Sequence, residues 1–308
     1  MAAGGPRNVL IELNAVLVAL IDDAPKVLTL EDGALLPSGP FETGHPTLQT
    51  GVRAWVERQT HHPLGYVEQL YTFADRNRAE AGTGRRTVSI SYLGLTRERT
   101  AQGEREPGWQ SWYRYFPWED WREGMPGLLE RAILPRLERW LAEARDPVLK
   151  RERRQRVEGN FDEKSWNEEA VLQRYELLYE AQLVPEAGRP RARIADPLPG
   201  APMRYDHRRI LATGIARLRA KIKYRPVVFE LMPPDFTLGQ LQRAVEALAG
   251  RPLHKQNFRR QVEQQGLVEE TGASTSGTGG RPAKLYRFRR EIMLERALAG
   301  TKLPITRS

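Results

Sequence analysis

Between Leu238 and Leu248 apolar residues recur at three- and four-residue steps, at Leu238, Leu241, Val245 and Leu248. That is the period of a helix with one buried face. Thr237 is a good N-cap, with Gln240 at the capping-box spacing, and Gly250 stands where a helix ends in a left-handed turn. A second helix is predicted in LHKQNFRRQVEQQG (Leu253 to Gly266), with only Phe258 and Val262 on its apolar side. Leu267 and Val268 open an extended segment. TGASTSGTGG (Thr271 to Gly280) holds too little apolar surface to be anything but a turn, and GRPAKLYRFRR (Gly280 to Arg290) reads as a returning strand. The order is helix, helix, strand, wing, strand.

The N-terminal part has the other period. Residues 8 to 20 (NVLIELNAVLVAL) and 26 to 30 (KVLTL) are β-rich runs, and LLPSGPFETGH leads into a helix from Pro46 to about Thr60. In TVSISYLGL, Val88, Ile90 and Tyr92 fall on one face of a strand and Thr87, Ser89 and Ser91 on the other. Leu129, Ile133, Leu137, Trp140, Leu141 and Ala144 keep helical spacing, as do Trp166, Ala170, Leu177, Leu178 and Ala181, so the middle of the chain predicts two helices. Between them VLKRERRQRVEGNFDEK is a charge run, read as a solvated turn. The competing reading has Lys150, Arg151, Arg153, Arg154 and Arg156 contacting DNA flanks or a partner. Leu183 to Pro202 is rich in Pro, Gly and Arg and reads as a linker. Beyond it Asp206 is the expected N-cap of a helix with Ile210, Ile215, Leu218 and Ile222 on its apolar face.

Charge sharpens the C-terminal picture. Across residues 251 to 290 nine Lys and Arg face three Glu, a net of +6 out of +9 for the chain. On the second helix the residues left off the apolar stripe are Lys255, Gln256, Asn257, Arg259 and Arg260. Arg forks onto guanine, and Asn or Gln pairs two atoms of adenine, which suits a helix lying in the major groove. Arg281 and Lys284 on the wing are placed for phosphates. The alternative is a solvated basic face on a core helix pair. Double-stranded DNA is the expected partner, and a pI near 9.9 suits a polyanion.

At 308 residues two domains are expected. There is no Cys, hence no disulfide framework and no thiolate chemistry, and the five His show no metal-ligand spacing. The N-terminus lacks the basic-then-apolar pattern of an export signal, and the longest apolar run, AVLVALI, is far short of the ~20 residues of a membrane span. A cytoplasmic protein is the expectation. Six of the seven Trp lie in residues 109 to 166, which marks either a packing cap or a dimer surface.

RLRAKIKYRPVVFELMPPDFTLGQLQRAVEAL, followed by NFRR and GRPAKLYRF, resembles the C-terminal winged helix of the Nudix-related regulators of NAD metabolism, the NrtR family. YVEQLYTFADRNR (Tyr66 to Arg78) with RTVSISYLGL is similar to the strand pair after that family's Nudix helix, WYRYFPWEDW to the end of its Nudix domain, and RYDHRRIL to the start of its linking helix. The resemblance implies an α+β chain. A Nudix-like mixed α/β sandwich over 1–125 would be followed by a helical insert and linker over 126–203, which the family pattern lacks, and a winged helix-turn-helix over 204–308.

The Nudix box is damaged. With Gly39 on its first Gly, the remaining fixed positions carry His45, Arg53, Ala54, Glu57, Arg58 and Thr60, so only Gly39, Arg53 and Glu57 survive. Divalent-ion hydrolysis needs several carboxylates on one helix face, and one glutamate beside an arginine does not supply them. The expectation is therefore no enzyme, no catalytic residue, no metal and no cofactor. The resemblance implies a homodimeric repressor on a palindromic operator, sensing a nucleotide such as ADP-ribose or NAD. Arg53, Glu57, Gln69, Asp75 and Arg76 are the candidate effector-binding residues; for Arg53 and Glu57 the competing reading is a mutual i, i+4 ion pair. An active nucleotide-diphosphate hydrolase with an auxiliary nucleic-acid domain is the alternative, and DNA binding with a vestigial pocket a third.

Overall fold

The computed structural model describes residues 9–62, 64–74, 86–97, 108–188, 197–275 and 282–289. Its N-terminal half is a sheet built on one long strand, β1 (Val9–Ile21), which turns through Asp22 and Asp23 into β2 (Ala24–Leu28). After the short β3 (Ser38–Pro40) comes α1 (Leu48–Thr60), then β4 (Tyr66–Phe73), β5 (Arg86–Leu95) and β6 (Trp109–Ser111). The strand order is β4-β5-β1-β2-β6, with β3 also on β1, and only the β1–β5 pair is parallel. Because both faces of β1 are covered, its apolar residues run almost unbroken instead of alternating with polar ones. Leu13, Ala15 and Leu17 pack under α1 with Val52, Val56, Ile90 and Tyr92, whereas Val16 and Val18 join a larger core on the opposite face. Ile90 and Tyr92 thus share the face expected of them.

The insert differs from expectation. A π-helical turn (Leu129–Ile133) leads into α2 (Leu134–Ala142), and a second helix, α3 (Pro147–Phe161), occupies the charge run read as a turn; α4 (Val171–Glu180) follows. Three local features make α3 a helix. Asp146 caps it by accepting from Val148 N (2.9 Å), Pro147 sits at its first position, and Val157 and Phe161 are buried four residues apart. Its cations turn back onto the chain: Arg153 donates to Trp140 O (3.0 Å) and lies over the Trp140 ring, Arg154 meets Glu138 and Arg156 meets Glu180. The segment read as a linker is packed too, since Val184, Leu198 and Met203 are buried; residues 189–196 lie outside the described set.

The next helix, α5 (His207–Tyr224), covers the other face of the sheet. Gly214 lets it approach β1, because a Cβ there would stand 2.8 Å from Val16 Cγ1. Ile210, Leu211, Ala212, Ile215, Leu218 and Ile222 are all buried, and each large aliphatic of this kind stabilises by about 1.5–3 kcal/mol. Lys221 bonds Glu68 and the Tyr66 hydroxyl of β4. Asp206 is the capping position, yet its side chain makes no cap bond and pairs with Arg209 at 3.5 Å.

The chain closes with β7 (Asp235–Phe236), α6 (Leu238–Ala249), α7 (Lys255–Gln265), β8 (Val268–Ser274) and β9 (Lys284–Phe288). The small sheet runs β7-β9-β8. β7 was not expected, and β8 extends through Thr271–Ser274, residues read as turn. Phe236, Leu241, Phe258 and Val262 belong to the same apolar core as Val16 and the insert, which is therefore continuous through all three parts. The Trp-dense insert is packing: Trp112, Trp118, Trp121, Trp140 and Trp166 are buried.

At the start of α5 the His207 Nδ1 accepts from Leu36 N (2.8 Å), so protonation would set a donor against a donor. Burial lowers its pKa from 6.5 to about 4. A depressed folded-state pKa gives stability that is full above about pH 6.5 and lost as pH falls toward 4, a change of about 3 kcal/mol. Urea midpoints at pH 7 and pH 4.5 should therefore lie further apart in the wild type than in His207→Gln; equal spacing would exclude His207 as the cause.

Candidate DNA interface and nucleotide pocket

The helix-turn-helix is assembled by caps. Thr237 accepts from Gln240 N (3.1 Å) while Gln240 Oε1 accepts from Thr237 N (2.8 Å), and Gly250 and Gly266 end α6 and α7 with φ of 72° and 59°. On α7, Phe258 and Val262 are buried. At 100° per residue the positions opposite them are Gln256, Arg260 and Gln264, with Asn257 beside Arg260 and Arg259 and Lys255 on the flank. Lys255, Gln256, Arg259 and Arg260 are exposed and Asn257 half-buried. Asn257 Oδ1 accepts from Arg260 at 3.4 Å, a long bond that a base edge would replace easily. Gln264 was missed, because polarity alone does not separate a contact face from a solvated one.

The wing strands are less cationic than the sequence suggests. Lys284 Nζ pairs with Glu270 Oε1 at 2.8 Å and Arg287 with Glu269 at 3.5 Å, all on exposed side chains. Cross-strand neighbours of opposite charge pair this way whenever register sets them side by side. The hydrogen bond from Lys284 holds the Glu270 carboxyl below its ordinary pKa. Arg281 lies outside the described residues. The wing root is fixed by Phe288, stacked on Phe229 with ring centroids 4.1 Å apart.

Around α1 two of the three surviving box residues have structural partners. Trp55 lies where a side chain on residue 39 would go, a Cβ meeting its ring at 2.2 Å, and donates to Pro40 O (2.9 Å). Arg53 donates to Leu64 O and, at 3.0 Å, to Gly65 O, tying α1 to the entry of β4. No Arg53–Glu57 ion pair forms among the described residues; Glu57 is exposed, and Arg58 lies over the Trp55 ring (4.7 Å). Gln69 is exposed and shares the α1 face of β4 with Val67. Arg53, Glu57 and Gln69 are thus on one side of the sheet, whereas Asp75 and Arg76 lie outside the described residues. His45 Nδ1 accepts from Glu42 N (3.1 Å), a loop contact.

Residues 228–288 match the family described as NrtR DNA-binding winged helix domain. That segment is thus a winged helix of the NrtR type. A relative from Acinetobacter baylyi, named ADPR responsive transcriptional repressor NtrR, is 45% identical over 84 residues. That stretch is 27% of this chain and 33% of the relative's own length, so the chain matches about a third of it. Over the full length the fold is that of NrtR from Shewanella oneidensis, solved with a 27mer DNA (TM-score 0.53, 21% identity, 91% of this chain and 94% of that one). A MutT/nudix family protein from Enterococcus faecalis gives a TM-score of 0.52 at 14% identity, over 94% and 90% of the two chains. The sheet with α1 accordingly has the fold of these Nudix structures, and the winged helix follows it.

Among the described residues no three His, Asp or Glu gather as a metal site, and no helix is long and apolar enough to cross a membrane. The structural role of Arg53 has a direct measure. Arg53→Met should lower stability by about 1–3 kcal/mol in urea unfolding, whereas Glu57→Gln should change it by less than about 0.5 kcal/mol. Equal losses would mean that the carbonyl contacts of Arg53 contribute nothing.

Proposed function

We propose that this chain is a DNA-binding transcriptional repressor of NAD-related metabolism whose Nudix domain senses a nucleotide. The observation that carries the reading is α7: a helix with Gln256, Asn257 and Arg260 on the side away from its buried stripe and Arg259 exposed on the flank, inside a segment that matches the NrtR winged helix. Arg, Asn and Gln at neighbouring positions provide forked donors and acceptors for base edges, while Lys255 and the wing cations Arg281 and Lys284 suit phosphates. A cytoplasmic homodimer on a palindromic operator fits this geometry, because two recognition helices read half-sites one turn apart. The division into 1–125, 126–203 and 204–308 goes with the same reading.

The effector we infer is ADP-ribose or a related nucleotide such as NAD, in keeping with the name of the Acinetobacter relative. It would lie on the α1 face, reached by Glu57 and Gln69, with Arg53 shaping the loop at its edge through Leu64 and Gly65; Asp75 and Arg76 are candidates from the sequence and lie outside the described residues. The pocket is read as non-hydrolytic, since His45, Ala54 and Arg58 stand where the box has acids and Glu57 alone offers too few oxygens for a divalent ion.

The test is binding of the purified protein to DNA from its own upstream region at physiological salt, titrated with ADP-ribose and NAD. Specific binding shifted by a nucleotide is expected; binding indifferent to both would remove the sensing role, and no preference over random duplex would remove the regulator. Arg260→Ala should cost about 1–3 kcal/mol on the preferred sequence and relax the preference. Glu270→Gln, which releases Lys284, should tighten binding to every duplex and steepen the slope of log K against log salt by about 0.9. An unchanged slope would place Lys284 away from the phosphates.

A further inference from the structure

The turn between α6 and α7 is held by groups outside the winged helix. Gly250 O accepts from Trp121 N (2.7 Å), Ala247 O from the Tyr113 hydroxyl (2.7 Å) and Leu248 O from Arg219 Nε (2.9 Å). These carbonyls lie at the end of α6 and have no partner within it, so the Trp121 backbone N–H and the Tyr113 and Arg219 side chains supply the donors they need. Burial raises the Tyr113 pKa and keeps that hydroxyl a donor. Gly250 lies so close to Glu119 O that a Cβ would stand 2.4 Å from it.

Arg219 has its five N–H groups committed. Besides Leu248 O it serves Glu119 Oε2 (2.7 Å), Glu168 O (3.1 Å), the Tyr113 hydroxyl (3.3 Å) and Glu119 O (3.2 Å). Its orientation depends on the Glu119 carboxylate, and that carboxylate is clamped from the insert. Arg174 of α4 donates to Glu119 Oε1 at 2.6 Å and Oε2 at 2.7 Å, and its guanidinium lies over Trp166 (3.7 Å). Glu168, just before α4, pairs with Arg251 in the turn itself at 2.9 Å. Arg174, Glu119 and Arg219 are each at most 1% exposed.

We propose that Arg174 and Glu168 are positioning residues for DNA recognition: through Glu119, Arg219 and Arg251 the insert sets the turn that aims α7. The proposal rests on the DNA-binding reading for its function but has a readout that does not need DNA. A two-pronged clamp is required, because a single contact leaves the carboxylate free to rotate and Arg219 free to follow it. Lysine supplies the charge without the fork.

The experiment compares full-length wild type, Arg174→Lys, Arg174→Met and Glu168→Gln. Amide hydrogen exchange over 246–258 should speed up by about tenfold or more in Arg174→Met and less in Arg174→Lys, with α1 unchanged. On upstream DNA the preference over random duplex should fall in the same order, while binding to random duplex stays near wild type. Glu168→Gln leaves the buried guanidiniums and carboxylate in place, so it reports even where Arg174→Met does not fold; it should loosen the same turn. Faster exchange confined to 160–180, or an unchanged turn in Glu168→Gln and Arg174→Lys, would overturn the proposal. A wild type without sequence preference would instead sink the regulator reading, and the exchange pattern would still decide whether the insert holds the turn.

Discussion

A carboxylate at the centre of an apolar core is unstable unless its charge is met on the spot, and Glu119 meets that condition with two guanidiniums. The desolvation of such a group is repaid only by good geometry and by satisfying the remaining donors; removing one partner from a buried pair typically costs about 3–5 kcal/mol. Everything around Glu119 serves that requirement. Backbone carbonyls of residues 160, 167, 168 and 248 take up the spare N–H groups, and the rings of Trp166 and Trp112 cover the guanidinium faces. The density of Trp between residues 109 and 166 fits that requirement: the rings fill volume and lie against guanidiniums, Trp166 on Arg174 and Trp112 on Arg219.

Legibility in the sequence divided along physical lines. The winged helix was readable because its signals are local, the apolar step in Leu238, Leu241, Val245 and Leu248, the Thr237–Gln240 box and the Gly250 stop. The sheet was readable because β-branched runs mark buried strands. The helix α3 was not, since a charge run shows little apolar period, and what makes it helical is the Asp146 cap, Pro147 at its first position and the one buried pair Val157 and Phe161. The Arg174–Glu119–Arg219 contact lies wholly outside the reach of periodicity: each member looks like a surface residue, and they are brought together over as many as 100 positions.

The candidate site shows the same division. The residue types on α7 carry its candidate chemistry, and its exposed face follows from two buried residues. Arg53 and Gly39 kept their identities in the box, yet the first holds two carbonyls and the second makes room for a tryptophan, so survival of a motif residue and survival of its chemistry are different matters. On the wing, net charge overstated the free charge, because Glu269 and Glu270 pair with Arg287 and Lys284.

The helix α5 is shared between the sheet and the winged helix. Gly214 seats it on Val16 of the sheet, and Arg219, further along the same helix, seats it on the end of α6. The boundary between the sheet and the winged helix therefore falls inside a secondary-structure element and not in a connector. A fragment that begins after Tyr224 would lose the donors that hold the end of α6, and one that stops before His207 would leave half a sheet bare. Exchange of N-terminal domains between proteins of this build, by recombination or by design, has to carry the helix and its partners together, so the unit of inheritance is larger than either domain.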